Sequence, residues 1–324
     1  MSDLVGQDVA VGQFLGPWQA RRMHHAWLLC GPRGVGKASF ARAAALRILA
    51  DAAGPASGEG LDVPADHRIA HLFAAGSHPD YRYLERLERP TGGLARNIGV
   101  DQVRGLGQLL DVTPSLSPWR AIVIDSADDL ETSAANALLK MLEEPPANTV
   151  FFLVAHAPGK LLPTIRSRCR RLDFAPLAAD AMTSLLDRLI PGQNSPDLVD
   201  LADGSPGRAL QLASLDLAPL LTEARAMMSE GDADNMRRSK LAGLLSGKPQ
   251  AERYAAFLDL APGLIASEAR GATGPRRGRA LDAYARARET VALAPRLSLD
   301  PAATAFALGG LFASVANPPA SLKR

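Results

Sequence analysis

The segment GPRGVGKAS, residues 31–39, follows the phosphate-binding pattern G-x-x-x-x-G-K-[ST] up to its last position. Its glycines are Gly31, Gly34 and Gly36. Glycines let the backbone N–H groups turn toward an anion, and Lys37 would reach the terminal phosphates. Ala38 stands where the pattern has a hydroxyl for Mg²⁺, and Ser39 does not replace it because one helical residue turns by about 100°. We predict a phosphate loop without its metal-binding hydroxyl; the alternative is a glycine-rich turn.

A second candidate position follows the apolar run WRAIVIDSADDL, residues 119–130, which predicts a buried strand ending at Asp125. Nucleotide-hydrolysing sites of this kind usually carry Asp-Glu here, with the Asp near Mg²⁺ and the Glu orienting the attacking water. This chain has Ser126 instead of the Glu. Losing such a base costs ~10²–10⁴ in rate. Asp128 and Asp129 are possible substitutes, but we expect them to cap the next helix.

Four arginines fall within the segment IRSRCRR, residues 165–171. They are Arg166, Arg168, Arg170 and Arg171. One interpretation is a solvated basic turn near a helix end. The other is an arginine finger, a side chain delivered to the nucleotide of a neighbouring subunit. Charge alone favours the basic turn.

Three histidines between the first helix and the second strand invite a test for zinc: His67, His71 and His78. The first two are four residues apart, but zinc needs three or four protein ligands and no further pattern completes the set. We therefore predict no metal site and no zinc. Cys30 and Cys169 are too few for a disulfide framework and are expected to be small residues within motifs, in a reducing compartment.

The composition is that of an ordinary globular protein. The 324 residues are 47% hydrophobic and 22% charged, enough for two or three domains. The 36 Lys and Arg nearly balance the 34 Asp and Glu, so no overall basic field predicts nucleic-acid binding. The start MSDLVGQDVA is unlike a signal peptide, and no apolar run reaches the roughly 20 residues of a membrane span. We expect a cytoplasmic protein.

Strands and helices alternate through the first half of the chain. The sequence predicts strands at AWLLC (26–30), within HPDYRYLER (78–86), at residues 119–125 and at residues 149–156, with Asp101 as a helix cap between two of them. Such alternation predicts a parallel sheet with flanking helices, an α/β domain. After residue 174 only Ala/Leu-rich helical segments follow. We place boundaries at 1–174, 175–213 and 214–324.

The chain resembles the clamp-loader branch of the AAA+ ATPases. The most specific match is IDSADDLETSAANALLKMLEEPPANTVFFLVAHAPGKLLPTIRSRCRRLDF, residues 124–174. The segments VGQDVA, GPRGVGKA, IGVDQVR and GSPGRAL also look like that family, so that the resemblance covers residues 4–210. It implies an AAA+ P-loop domain at 1–174, a helical lid at 175–213 and a helical collar at 214–324.

The resemblance also assigns roles to individual residues. Family members carry a Ser-Arg-Cys motif whose arginine reaches the adjacent subunit's nucleotide, and residues 167–169 match it. Arg168 is thus the expected finger, which reverses the preference that charge alone gave. Arg208 falls at the position of the lid's ATP-sensing arginine. Gly6 and Gln7 either border an adenine pocket or pack against the first helix.

The function that the resemblance implies is loading of the sliding clamp on primed DNA by a hetero-pentamer in bacterial DNA polymerase III. The partners would be motor (gamma/tau) and delta subunits. Ala38 and Ser126 favour a ring member that does not hydrolyse ATP itself, with ATP or ADP possible in the loop. One alternative is an active ATPase of the motor type, carried by Lys37 and Asp125. Another is a nucleotide-binding regulator outside replication.

Overall fold

The protein is described from a computed structural model that covers residues 4–54, 58–90, 93–192 and 196–316. The chain divides into two compact units. The first comprises Met1–Leu189 with Asp203–Gly207, and the second comprises Ile190–Ala202 with Arg208–Arg324. The three-part division at residues 174 and 213 stays a prediction. Across the described ranges, no helix combines the length and apolar character needed to cross a membrane.

The first unit is built on one five-stranded sheet in which all neighbouring strands are parallel. The strands are β1 (Ala26–Cys30), β2 (Tyr81–Leu84), β3 (Arg120–Asp125), β4 (Thr149–Ala155) and β5 (Arg170–Asp173). Their spatial order is β2-β3-β4-β1-β5. The predicted parallel α/β domain followed by helices is therefore confirmed.

The three inner strands consist almost entirely of buried residues, as strands covered on both faces must. Their side chains alternate between two cores. Trp27 and Leu29 of β1 pack on the side of Phe14 and Phe40, while Leu28 joins the opposite core. Ring centroids of Phe14 lie 5.5 Å from Trp27 and 5.6 Å from Phe40, both edge to face, which fixes the helices against the sheet.

β5 corrects the sequence-based interpretation of the arginine cluster. Arg170 and Arg171 belong to an edge strand that pairs with β1, so this part of the cluster is not a turn. Only Leu172 of this strand is buried. Because its neighbours are charged, the segment has no apolar run from which a strand could be predicted. Charged side chains on an edge strand also discourage pairing with another chain.

Seven α-helices of the described chain accompany the sheet. They are α1 (Asp8–Gln19), α2 (Lys37–Ala53), α3 (Arg68–Ala74), α4 (Val100–Leu110), α5 (Thr132–Glu143), α6 (Pro163–Arg166) and α7 (Ala179–Leu189). One capping prediction is wrong: Gly99 is the N-cap of α4, and Asp101 lies inside its first turn. There its charge still faces the positive end of the helix. α5 ends just before the two prolines, as predicted, because proline cannot continue a helix.

The rest of the described chain is helical, as predicted. Its helices are α8 (Pro196–Ala202), α9 (Pro206–Ser214), α10 (Ala218–Glu230), α11 (Met236–Leu244), α12 (Ala251–Gly271), α13 (Gly274–Arg296) and α14 (Pro301–Val315). The core of the second unit includes Phe257 and Phe312, whose ring centroids lie 6.1 Å apart. Small alanines of α13, such as Ala280 and Ala287, are fully buried and let this helix pack closely.

A buried carboxylate fixes the connection between α10 and α11. Asp232 has a fully buried side chain that accepts hydrogen bonds from the backbone amides of Arg237 and Arg238 and from Arg238 Nε at 2.9 Å. Burial alone would raise the pKa of Asp232, but these hydrogen bonds outweigh it and lower the pKa. The carboxylate therefore stays ionised and stabilises the start of α11.

Candidate functional site

The phosphate-loop sequence lies between β1 and α2, at the carboxyl edge of the sheet, where parallel α/β folds place their ligands. Gly31, Gly34 and Gly36 all have positive φ, at 151°, 80° and 100°. A Cβ at Gly31 would lie 2.3 Å from the carbonyl oxygen of Phe174, so only glycine fits there. The predicted strand, loop and helix are all present around the motif.

The segment GSPGRAL, distant in sequence, holds the loop through one side chain and one backbone amide. Ser205 Oγ donates to the Arg33 carbonyl at 2.8 Å, and the Gly207 amide donates to the Gly34 carbonyl at 2.9 Å. The sequence does not predict these contacts, although GSPGRAL is one of the family-like segments. This segment thus donates hydrogen bonds to the outward-facing carbonyls of the loop.

Gln7 provides a third support. Its buried side chain donates from Nε2 to the carbonyls of Val35, at 3.3 Å, and Ala175, at 2.9 Å. Gln7 thus joins the loop to the chain after β5, a contact that neither expectation for this residue included, and the adenine-pocket expectation stays a prediction. Gly6, with φ of 70°, lies beside Leu177.

The inner side of the loop suits an anion. Within the described residues, the backbone N–H groups of Gly34, Val35 and Gly36 have no hydrogen-bond acceptor. Unpaired N–H groups ahead of a helix N-terminus form a site for phosphate oxygens. The loop geometry therefore fits a phosphate group.

Lys37 is almost completely buried and donates from Nζ to the loop's own carbonyls, Gly31 at 2.7 Å and Pro32 at 2.5 Å. Burial lowers the pKa of Lys37 to about 8, against the opposing influence of the Asp125 and Asp128 carboxylates. Near neutral pH the ammonium is still largely charged. Lys37 can thus neutralise a phosphate once it leaves these carbonyls.

The position after the lysine does not suit a metal ion. The half-buried Ala38 packs its methyl group against the hydrophobic core beside α2. Ser39 is exposed, as one residue of helical rotation requires. The two residues together leave the loop without the hydroxyl ligand for Mg²⁺ that its sequence pattern calls for.

Asp125 lies at the end of β3, as predicted, but its carboxylate already has a partner. The Tyr83 hydroxyl of β2 donates to Asp125 Oδ2 at 2.7 Å. Burial, reinforced by this hydrogen bond, raises the pKa of Tyr83, so the phenol remains a donor. Ser126 is buried, and its hydroxyl has no partner within the described chain. No general base stands at the Ser126 position.

Asp128 and Asp129 do not cap α5, contrary to the expectation. The carboxylate of Asp128 accepts from the backbone amides of His156 and Ala157, and Asp129 forms an ion pair of 3.2 Å with Arg86. Asp128 therefore fixes the turn after β4. Its second role is electrostatic, because its charge favours protonated Lys37.

His156 is a candidate that sequence reasoning missed. It follows β4 directly, and the sheet order places this strand between β1 and β3. Burial of the ring and the Lys37 charge lower the pKa of His156. A polar residue immediately after a buried strand was the available signal. Only the strand order shows that it shares the carboxyl edge with Lys37 and Asp125.

Arg168 lies just beyond α6 and is held by its own chain. Its Nη2 atom is 2.8 Å from Glu143 Oε1, and Nη1 donates to the Thr164 carbonyl at 3.0 Å. The side chain is 35% exposed. The other members of the cluster have different surroundings: Arg170 lies over the Trp27 ring, and Arg171 pairs with Asp173 at 2.7 Å.

The candidate metal residues have structural surroundings. His67 is the N-cap of α3 and accepts from the Ile69 amide, while the buried His78 accepts from the Asp80 amide at 3.1 Å. The described residues contain no group of three His, Cys, Asp or Glu side chains that could hold a metal ion. Burial raises the pKa of Cys30, and it raises that of Cys169 to about 12, so both are protonated thiols.

Arg208 is a half-buried residue in the first turn of α9 and belongs to the second unit. Its expected role as a sensor of bound nucleotide stays a prediction.

A family model described as "DNA polymerase III, delta subunit" matches residues 6–178. One similar protein is DNA polymerase III subunit delta' of Pseudomonas aeruginosa, with 38% identity over 60% of this chain and 60% of the relative. The Escherichia coli protein of the same name is 36% identical over 60% of this chain and 56% of the relative. DNA polymerase III subunit tau of Bacillus subtilis is 30% identical over 59% and 32%. The matches thus span at most 60% of these relatives.

Solved structures to which this chain is similar include a DNA polymerase III gamma subunit-related protein from Thermotoga maritima. It has 16% identity and a TM-score of 0.48, over 93% of this chain and 98% of that one. The FIGL-1 AAA domain in complex with ADP has 18% identity and a TM-score of 0.42, over 67% and 71%. The parallel sheet and the glycine loop after β1 define the fold class of the first unit.

Proposed function

We propose, because this chain belongs to the DNA polymerase III delta-subunit family, that it is a clamp-loader subunit that does not hydrolyse ATP at its own loop. In this proposal it is a structural member of the ring and supplies Arg168 to the nucleotide of the neighbouring ATPase subunit. Hydrolysis by that neighbour accompanies loading of the sliding clamp on primed DNA.

The observation that carries the proposal is the combination of an intact loop with Ala38. The positive φ values of Gly34 and Gly36, the unpaired amides and the buried Lys37 preserve a phosphate cradle. At the metal-binding position a methyl group packs against the core instead. Such a site fits phosphate but lacks a ligand for Mg²⁺.

The end of β3 supports the same conclusion independently. Asp125 receives the Tyr83 hydroxyl, and the following position holds the buried Ser126 where a glutamate would orient water. Without a base the hydrolysis step loses ~10²–10⁴ in rate. Two separate requirements for turnover are therefore unmet in this chain.

ATP or ADP is the ligand class that we propose for the loop. Its phosphates would be held by the loop amides of residues 34–36 and by Lys37, without a metal ligand from Ala38. Asp125 would lie near this site, and Arg208 would sense the nucleotide from the lid. No zinc is proposed.

The proposed partners are the motor subunits, gamma or tau, and the delta subunit of a hetero-pentamer. Membership of a DNA polymerase III family and similarity to both delta' and tau proteins support this choice. The sliding clamp and primed DNA would be bound through the assembled complex. The near balance of charge offers no overall basic field for DNA binding by this chain alone.

An active ATPase of the motor type is the second candidate, favoured by the similarity to tau of Bacillus subtilis. Lys37 and Asp125 would be its catalytic carriers. Ala38 and Ser126 both argue against it, because the first removes a ligand for Mg²⁺ and the second removes the base.

A matched pair of variants in the reconstituted complex tests the proposal. Lys37→Ala alters this chain's own site, and Arg168→Ala removes the finger. We expect Lys37→Ala to leave DNA-stimulated ATPase unchanged, and Arg168→Ala to lower it by about 10³-fold at the neighbouring site without weakening assembly. Size-exclusion chromatography of each complex checks assembly.

Two outcomes would contradict the proposal. If the purified chain hydrolyses ATP in a Mg²⁺-dependent manner that Lys37→Ala abolishes, the motor-type alternative is correct. If Arg168→Ala leaves the ATPase of the complex unchanged, the finger assignment fails.

A further inference from the structure

We infer that Glu143, the last residue of α5, is the positioning residue that sets the Arg168 guanidinium in the orientation it uses toward the neighbouring nucleotide. This inference rests on the proposed function, since it presupposes that Arg168 acts in the adjacent site. Glu143 would be a second residue, on a different helix, on which the arginine finger depends.

The contacts at Arg168 come from two directions. Glu143 Oε1 lies 2.8 Å from Nη2, and the Thr164 carbonyl accepts from Nη1 at 3.0 Å. Thr164 belongs to α6, whereas Glu143 ends α5, so two helices fix one planar group. A guanidinium held at both terminal nitrogens cannot rotate about its last bonds without losing a contact.

The two contacts leave the Arg168 guanidinium with N–H groups that can still bind phosphate oxygens. An arginine has five N–H donors, and these contacts use one on each terminal nitrogen. Three donors remain, on a side chain that is still 35% exposed. Glu143 therefore restricts the orientation of Arg168 while leaving donors for phosphate oxygens of a partner.

Arg168 is distinguished from its neighbours by this partner. Among the described residues of the cluster, Arg168 alone forms an ion pair with an acidic side chain from another helix or strand. Arg171 pairs with Asp173 of its own strand, and Arg170 lies over the Trp27 ring. The adjacent Glu144 is exposed and forms no ion pair within the described chain, which makes it a matched control.

The expected effect is moderate. Both partners are partly exposed, and ion pairs of this kind are worth little in stability. Their value here lies in orientation, since small misplacements of a charge-stabilising group slow a reaction markedly. A fall of about 3- to 10-fold in the rate constant is the size that such a contact supports.

The test uses the complete reconstituted complex with MgATP and primed DNA. We expect Glu143→Gln to lower kcat by about 3- to 10-fold with KM for ATP nearly unchanged, because the positioned group acts in the transition state. Glu144→Gln should leave both constants at the wild-type values. Glu143→Asp, which keeps the charge, should restore part of the loss. In an Arg168→Ala background, Glu143→Gln should have no further effect.

The outcomes separate this inference from the proposed function. If Arg168→Ala lowers ATPase but Glu143→Gln matches Glu144→Gln, Glu143 has no positioning role and only this inference fails. A rise in kcat with Glu143→Gln would also overturn it, because Glu143 would then be restraining the finger. If Arg168→Ala has no effect, the proposed function itself is wrong. Thermal unfolding of each purified variant identifies any loss that comes from misfolding.

Discussion

The hydroxyl of Tyr83 donates a 2.7 Å hydrogen bond to the carboxylate of Asp125. The two residues lie on neighbouring parallel strands, where Tyr83 pairs in register with Val123. Burial and this hydrogen bond raise the pKa of Tyr83, so the phenol stays protonated at physiological pH. A carboxylate that accepts a hydrogen bond from a phenol is a weaker ligand for a cation. Ala38, Ser126 and Tyr83 thus all favour a site without Mg²⁺.

A metal site built into this loop should therefore bind Mg²⁺ more tightly once the Tyr83 hydroxyl is removed. We expect Ala38→Ser with Ser126→Glu to gain Mg²⁺-dependent ADP affinity, and Tyr83→Phe in addition to strengthen it by about tenfold or more, since a hydrogen bond to a charged group is worth about 1.5–3 kcal/mol. Calorimetric titration of ADP with and without Mg²⁺ measures both steps. Tyr81→Phe is the control, because the buried Tyr81 hydroxyl has no partner in the described chain. An equal gain from Tyr81→Phe would remove the special role of Tyr83.

Anion binding at the loop should weaken as pH rises. Burial lowers the pKa of Lys37 to about 8 in the free protein, whereas a bound phosphate favours the charged form and raises it again. Affinity for sulfate, which does not itself titrate in this range, should thus be constant well below pH 8 and fall by roughly tenfold per pH unit above it. Titrations from pH 6.5 to 9.5 provide the measurement. With Lys37→Met the dependence should disappear; a persistent slope would place the titrating group elsewhere.

The same lysine affects stability with a defined sign. Its folded-state pKa lies below the ordinary value of 10.5, so burial opposes folding while the ammonium is charged. This penalty is present below about pH 8 and diminishes as pH rises from there toward 10.5.

The phosphate loop should not tolerate a side chain at Gly31. Its φ of 151° and the Phe174 carbonyl oxygen, which would lie 2.3 Å from an added Cβ, predict strain and displacement of the strand end. We expect Gly31→Ala to lower the free energy of unfolding by about 1–3 kcal/mol. In contrast, Gly12→Ala in α1 meets no atom within 4 Å and should stabilise by up to about 1 kcal/mol. Denaturant unfolding compares them, and equal effects would contradict the close approach.

The helical unit depends on the Asp232 carboxylate. Asp232→Asn should cost about 1–3 kcal/mol, because a neutral amide loses the charge-assisted hydrogen bonds from the Arg237 and Arg238 amides and from Arg238 Nε. Asp234→Asn is the control, since Asp234 is exposed and accepts only from the Met236 amide within the described chain. Urea unfolding, followed by a probe in the second unit, tests the difference. Similar losses in both variants would show that the buried pair is unimportant.

The pH dependence of the same carboxylate follows from its lowered pKa. Its contribution to stability is complete above the unfolded-state value of about 4 and is lost as pH falls through the lower folded-state pKa. The wild-type protein should therefore lose more stability than Asp232→Asn between pH 4 and lower values. Unfolding curves at several acidic pH values provide the comparison.

The inner strands and the loop could be predicted from the sequence because their signals are local. A run such as AWLLC is apolar throughout, and a strand buried on both faces has no other composition. The glycine spacing of residues 31–36 likewise encodes a backbone shape that other residues rarely adopt. At Ala38 a hydroxyl is missing and at Ser126 a carboxylate is missing, and both substitutions can be read from the sequence alone.

The contacts that complete the site could not be predicted in this way, because they depend on which strands are neighbours. β5 carries one buried residue between charged ones and exists through its pairing with β1. Asp128 is a residue type that often caps helices. It binds the turn after β4 instead, because the ends of β3 and β4 are adjacent. His156 and Tyr83 reach the site for the same reason.

The sequence by itself determined the fold class, the glycine loop and its missing hydroxyl. Through family resemblance it also predicted Arg168 as the arginine finger, which stays a prediction. Tertiary structure alone decided that Tyr83 engages Asp125, that Ser205 supports the loop and that Glu143 holds Arg168. Local patterns encode backbone conformation and burial within one element. Hydrogen bonds between residues tens of positions apart form only after the sheet order and helix packing have brought those residues together.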